Sequence, residues 1–278
     1  ALVRLGLTEA LIFAVTVGIA VGLSRTPPPA NRVEPSAAQM AIGFEPAGPP
    51  TAARILFDWR FDLILGTLAV VLAALYLRGV RRLRRRKTPW PLQRSICWFG
   101  GCATLLAATS SGLGSYMPAM FSMHILVQVL LSTVIPVLLV WGAPVTLALQ
   151  ALPRTATAAV PGPREWLLTA LGCPLARAAS DPLVVSVAFI GGIVVLHTET
   201  IFTVSVSNHS AHVLTNLYLL VTGCLFFAVI SRSADAPRRR AAMLIAVPTT
   251  YFAVGLLVSR RDDVLGESFY RSLQLQWH

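Results

Sequence analysis

Charge is what this 278-residue chain has least of. Only 13% of its residues are Asp, Glu, Lys or Arg, against about 25% in soluble domains. Its 55% hydrophobic content gathers in long blocks, which excludes a soluble globular domain and defines an integral membrane protein. Acidic residues are scarcer than basic ones, 12 against 23, giving a net charge of +11. The densest basic run, "RGVRRLRRRKTP" at 78–89, follows an apolar segment and contains no aromatic platform. It therefore reads as a cytoplasmic anchor that also meets anionic lipid, not as a nucleic-acid surface. Four cysteines, Cys97, Cys102, Cys173 and Cys224, show no CxxC spacing and sit beside apolar sequence, as small buried hydrophobes do. There is no Walker loop, dinucleotide fingerprint or nucleophile elbow. There is also no inverted repeat, which disfavours a proton-coupled carrier. No cleavable signal sequence is evident, and a start at the edge of an apolar helix reads as that of a fragment or processed product.

What is present is a set of apolar segments near 4–24, 60–80, 93–110, 119–141, 182–200, 209–230 and 240–259. Each approaches the roughly 20 residues that a spanning helix needs. The fold class expected is all-α, a polytopic helical bundle of about seven spans. The shorter apolar stretch 142–153 reads as an interfacial helix. Sixteen Lys and Arg fall on one side of the alternating loops and seven on the other. The positive-inside rule then makes the N-terminus cytoplasmic and the C-terminus outer, in a multi-pass protein of the plasma membrane. The proline-rich stretch 24–59 cannot be helical throughout. It divides the chain into a lone first helix (1–24), a linker on the outer side (25–59) and a six-helix unit (60–278).

That orientation puts all five histidines, His124, His197, His209, His212 and His278, on the outer side. The stretch "SYMPAMFSMHILVQ" (115–128) adds Met117, Met120 and Met123 there. Thioether with imidazole suits Cu(I), and imidazole also takes Cu(II). Met120 and His124 are four apart, and His209 and His212 three apart with Asn216 continuing their stripe, so each set shares a helix face. If the helix starts early, Met117, Met120 and Met123 line one stripe. The competing reading is packing, since Met adapts to irregular gaps. Glu9 reads as a structural carboxylate near Arg4, and Glu199 beside His197 as interfacial. Asp262, Asp263 and Glu267 lack the spacing of a calcium loop.

The segments "MPAMFSMHILVQVLLSTVIPVLLVWGAPVTLALQALP" (117–153), "NHSAHVLTNLYLLVTGCLFFAVI" (208–230) and "APRRRAAMLIAVP" (236–248) together resemble the CtaG family of cytochrome c oxidase assembly factors, especially actinobacterial members. The first helix, ending "VGLSRTPPP", looks like the last helix of a copper-resistance D domain, which is fused ahead of such domains. The resemblance implies copper delivery to, or maturation of, the oxidase, with paired histidines in the fourth and sixth spans. This chain departs from the pattern: one turn beyond His124 stands Gln128, and one turn beyond His212 stands Asn216. "VPTTYFAVG" lacks a further histidine expected there, and the family continues past "LQLQWH" into a glycine-rich segment and another helix.

The function expected is a non-enzymatic membrane assembly factor with an outward-facing copper site. Its ligands would be His124, Met120, His209 and His212, with Met117 and Met123 as first-contact ligands. Its partners would be oxidase subunits within the bilayer. The alternatives are a divergent accessory subunit or scaffold without metal, favoured by Gln128 and Asn216, and a permease for copper or a small solute.

Overall fold

The computed structural model describes residues 2–25, 34–153, 161–233 and 235–277, with no side chains before 9 or at 23–25. The proline run, Arg154 and His278 lie outside the described residues, as does the side chain of Arg4. The chain forms two compact units, 1–36 and 37–278. The first contains helix α1 (Leu2–Arg25), in which Glu9 is exposed. The second contains everything that follows.

All regular structure among the described residues is helical. Two short helices, α2 (Ala37–Ile42) and α3 (Ala52–Phe57), occupy the expected linker. Then come α4 (Leu65–Arg85), α5 (Leu92–Ser110) and α6 (Gly112–Tyr116). Helix α7 opens as Phe121–Val129, passes through one π turn at Leu130–Val134 and finishes as Ile135–Trp141. Helix α8 (Pro144–Ala151) follows the left-handed residue Ala143; α9 (Pro163–Gly172) and α10 (Pro174–Ala178) come next. Helix α11 runs from Pro182–Ser186 through a π turn to Gly192–Leu196. The chain ends with α12 (Glu199–Ser207), α13 (His209–Arg232), α14 (Pro237–Ser259) and α15 (Glu267–Ser272).

Four stretches are long and apolar enough to cross a membrane: Leu92–Tyr116, Phe121–Ala151, His209–Arg232 and Pro237–Ser259. A fifth is added if α11 and α12, bent by 80° at their junction, make one span. The protein is a multi-pass helical membrane protein with four to five such spans by this measure, against the seven expected. Helix α4 falls short because Arg78, Arg81 and Arg82 enter its apolar window; of α1, the side chains described cover the apolar run Glu9–Gly22.

Local chemistry sets the helix boundaries. Asp62 starts α4 five residues later than the apolar run suggests. Its Oδ1 accepts from the amides of Ile64 at 2.9 Å and Leu65 at 2.5 Å, satisfying N–H groups that a helix start leaves free. Asn208 caps α13 through the amide of Ala211 at 3.1 Å, and Asp181 caps α11 through Leu183 and Val184. In α7 the π turn lies just before Pro136, which has no N–H for the Ser132 carbonyl and whose ring crowds that turn. Helix α7 is central, with α5 on one side and α13 on the other. At Gly223 of α13 an added Cβ would lie 2.5 Å from the Ser132 carbonyl oxygen and 2.8 Å from Pro136 Cγ. The two backbones therefore meet there, as small residues allow in membrane bundles. Where α4 meets α5 and α8, the Tyr76 hydroxyl donates to the Gly142 carbonyl at 2.8 Å and accepts from Trp90 Nε1 at 3.0 Å. Its ring stacks on Trp98.

Candidate functional site

The close approach at Gly223 fixes α7 against α13, two helices running in the same direction. Each carries a histidine four residues beyond its N-cap. The backbone amide of His124 donates to the Met120 carbonyl, and that of His212 to the Asn208 carbonyl, both at 2.9 Å. Four residues further stand Gln128 and Asn216. The imidazoles of His124 and His212 face each other with ring centres 5.6 Å apart and planes at 71°. Gln128 Nε2 lies 3.0 Å from His124 Nε2, and Asn216 Nδ2 lies 3.1 Å from His212 Nε2. Each amide thus meets the Nε2 of its histidine, and the orientation of the amide decides which ring nitrogen carries the proton.

Three atoms of this cluster remain without a hydrogen-bond partner although buried: His124 Nδ1, Gln128 Oε1 and Asn216 Oδ1. The Met117 backbone lies beside the His124 ring as a loose hydrogen-bond partner, short of full hydrogen-bond geometry at Nδ1. His124 and Gln128 are each 1% exposed and Asn216 4%. Unpaired polar atoms in an apolar interior are costly and are the exception in folded proteins. In a span, such atoms make the cluster the candidate functional site. Below them the column continues. Ser132 Oγ donates to the Gln128 carbonyl at 2.7 Å and lies 2.5 Å from the Tyr251 hydroxyl of α14.

A second apolar cluster closes the other end. The Phe202 ring of α12 lies 5.1 Å from that of His124 and is fully buried, together with Ala119, Leu265, Phe269, Tyr270 and Leu273. Burial pushes the Tyr270 phenol well above its usual range, so its hydroxyl keeps its proton. Glu199 ties this end together. It pairs with Arg261 at 2.8 Å and accepts from the Gly266 amide at 3.2 Å and the Thr203 hydroxyl at 3.1 Å. Glu199 is therefore a latch for the C-terminal segment rather than a support for His197. His197 turns its Nδ1 to the Ile193 carbonyl at 2.7 Å, away from the facing pair.

The remaining candidate residues divide differently from the expected stripe. The helix breaks between α6 and α7, so Met117 and Met120 fall in the turn and Met123 lies within α7. Met117 is buried in the main core, whereas Met120 packs on the Phe202 cluster. The three methionines thus share no single helix face. His209 is exposed and lies within electrostatic reach of His212. Both line a cleft of about 630 Å³ with Asp62, Arg60, Thr109 and Ser115. His212 thereby connects the buried pair to the outside of the bundle. Sequence reasoning missed Asp62. Its only signal was a carboxylate at the edge of an apolar run, in "FDLIL". Among the described residues, no three His, Cys, Asp or Glu side chains converge as a metal cluster. The donor set at the centre is two imidazoles and two amides, without a carboxylate.

A buried, paired-histidine centre between two parallel spans defines a multi-pass membrane protein with a polar interior site, and comparison gives the particular family. Residues 74–278 match the family described as cytochrome c oxidase caa3 assembly factor (Caa3_CtaG), and the chain belongs to that family. It is 39% identical over 241 residues to an uncharacterized protein of Mycobacterium bovis, covering 85% of this chain and 36% of the relative. It is 34% identical over 241 residues to an uncharacterized protein of Mycobacterium leprae, covering 85% of this chain and 37% of that one. The chain thus spans little more than a third of the curated relatives it matches. No solved structure matches.

Proposed function

We propose that the chain acts in assembling cytochrome c oxidase, and that it holds a copper ion, as cargo, between His124 and His212. Family membership supports the assembly role. The observation that carries the copper reading is the facing, buried imidazole pair with its unpartnered polar atoms. An imidazole nitrogen sits about 2.0–2.1 Å from such an ion, so two rings sharing one ion have centres about 6 Å apart, close to the 5.6 Å here. A buried centre of imidazoles and amides, with the Asp62 carboxylate out in the cleft beside His212, favours a singly charged, soft ion, hence Cu(I) over a hard cation. Gln128 and Asn216 serve as ring holders in this reading. Turned over, with oxygen for nitrogen, each amide accepts from Nε2–H and leaves Nδ1 free to bind metal, the usual way a ligating histidine is supported. Met120, at the head of α7 and four residues before His124, is the leading thioether candidate, and His209, Met117 and Met123 are further candidate ligands. The positive-inside pattern places the site on the outer face, with α1 and α4 as additional spans.

The test is titration of the purified full chain with Cu(I) against a Cu(I)-specific competitor. One tightly held equivalent is expected, lost in His124→Gln and in His212→Gln and weakened in Met120→Leu. No copper above background in the parent protein would refute the reading. A second reading is a scaffold that holds no metal. It is favoured by the amide contacts, which already occupy one nitrogen of each ring at 3.0 and 3.1 Å. Such a scaffold co-purifies with oxidase subunits regardless of His124→Gln, whereas a permease does not co-purify.

A further inference from the structure

The basic run ends α4 at the mouth of a surface cleft, into which Arg86 and Arg164 reach from two helices. Among the described residues none of Arg78, Arg81, Arg82, Arg84, Arg85 and Arg86 forms an ion pair with a carboxylate. Arg86 and Arg164, from α9, both reach the C-terminal end of α8. Arg86 Nη1 donates to the Ala151 carbonyl at 3.5 Å and Arg164 Nε to the Leu149 carbonyl at 3.3 Å. A guanidinium has five N–H donors, so most of each fork remains free. Both guanidinium side chains line a cleft of about 650 Å³ together with Thr88, Thr146 and Gln150.

A second, apolar groove of about 570 Å³ adjoins it, lined by Leu72, Leu75, Tyr76, Leu147 and Ala148, with Arg78 and Arg82 also on its wall. Cleft and groove share Leu152 and Pro153. The floor of the groove is where α4 and α8 approach at Gly79, whose added Cβ would stand 3.1 Å from the Leu147 side chain. One end thus presents fixed cations and hydroxyls, and the other a greasy channel. The change from apolar to basic along α4 sets the junction at the level of a membrane interface.

We propose that this is a binding site for one anionic glycerophospholipid. Its phosphate sits in the cleft with Arg86, Arg164 and Thr88, and an acyl chain lies in the groove beneath Arg78 and Arg82. A guanidinium suits phosphate because its fork matches two oxygens at once. Selection of a headgroup then comes from the cleft, and retention through solubilisation from the groove.

The experiment is reconstitution of the full chain in phosphatidylcholine vesicles containing 10 mol% phosphatidylglycerol, followed by detergent extraction and mass spectrometry of retained lipid. The wild type should keep about one phosphatidylglycerol per chain and no phosphatidylcholine. R86Q/R164Q should lower its retention roughly thirtyfold, at about 1 kcal/mol per cation. R84Q/R85Q removes the same charge outside the cavity and should retain the lipid. Ala148→Phe fills the groove and should expel the lipid with the arginines intact, which keeps the test decisive if R86Q/R164Q fails to fold. The proposal is overturned if R84Q/R85Q loses as much as R86Q/R164Q, which means diffuse surface charge. Equal retention of phosphatidylcholine, or displacement by millimolar inorganic phosphate, also overturns it, as does full retention in Ala148→Phe.

Discussion

Replacing Gly223 by alanine tests the contact on which the histidine pair depends. The new methyl would be 2.5 Å from the Ser132 carbonyl oxygen, 2.8 Å from Pro136 Cγ and 3.2 Å from the Ser132 carbonyl carbon. Comfortable heavy-atom contact begins near 3.5 Å, so α13 must retreat from α7 by up to about 1 Å. These neighbours are backbone and a proline ring, neither of which swings aside. Overpacking of this kind costs about 1–3 kcal/mol. Alanine in place of glycine within a helix recovers about 0.5–1 kcal/mol. The net expectation is a loss of up to about 2.5 kcal/mol, centred near 1 kcal/mol.

Gly100 of α5 supplies the control, since an added Cβ there meets nothing within 4 Å. Gly100→Ala should show the helix gain alone. At about 2–4 °C per kcal/mol for chains of 150–250 residues, the two variants should differ in Tm by roughly 5 °C in detergent, with Gly223→Ala the lower. Because His212 and Asn216 lie on α13 and His124 and Gln128 on α7, the same retreat widens the ring separation. Any copper bound by the pair should weaken in Gly223→Ala and not in Gly100→Ala. A Gly223→Ala protein as stable as Gly100→Ala would refute the close approach and the registration built on it.

Gln128→Leu keeps the volume but leaves His124 Nε2 without its 3.0 Å partner. It should destabilise by about 1–3 kcal/mol in thermal unfolding and lower copper affinity about 10–100-fold if the amide orients a ligand. Tyr251→Phe removes the 2.5 Å contact to Ser132, which keeps its bond to the Gln128 carbonyl. Its cost should stay near 1 kcal/mol in the same assay. Glu199→Ala breaks a half-exposed ion pair worth under about 1 kcal/mol. Global Tm should barely move, while limited proteolysis near Glu267–Ser272 should speed up. Membrane-impermeant thiol labelling of Ser207→Cys should succeed in intact cells and that of Arg84→Cys should fail; the reverse pattern would invert the orientation argued from the arginine bias.

The sequence carried most of the helices and the two partners at the centre, because both are local signals. Apolar length announced α5, α7, α13 and α14, and a histidine in the first turn of α7 and of α13 announced His124 and His212. What it did not carry depends on backbone breaks. Counting residues puts Met117, Met120 and Met123 on one stripe, but Met120 has the extended backbone of an N-cap, which rotates Met117 out of register. Likewise 182–200 reads as one span, yet the chain bends by 80° between Leu196 and Glu199. The start of α4 moved to Leu65 because Asp62 caps it, a carboxylate that carries no apolar periodicity. The cleft beside His212 joins residues as far apart in sequence as Ala41 and His212, which no spacing rule anticipates.

Gln128 and Asn216 read as losses when judged as ligands, since amides are poor donors to Cu(I). Judged as neighbours they do something a second histidine pair could not. A buried imidazole has two ring nitrogens, and in an apolar span each needs an answer. The amides answer one nitrogen of each ring, at 3.0 and 3.1 Å, from the same offset of four residues. That holds the two rings facing each other and leaves His124 Nδ1 without a partner. Four imidazoles would satisfy the higher coordination number that Cu(II) prefers. Two oriented imidazoles offer a two-coordinate site, which suits Cu(I) and an ion that is to be passed on. On the proposed reading, the departures from the family's paired histidines therefore narrow the choice of ion and loosen its hold, rather than abolish the site.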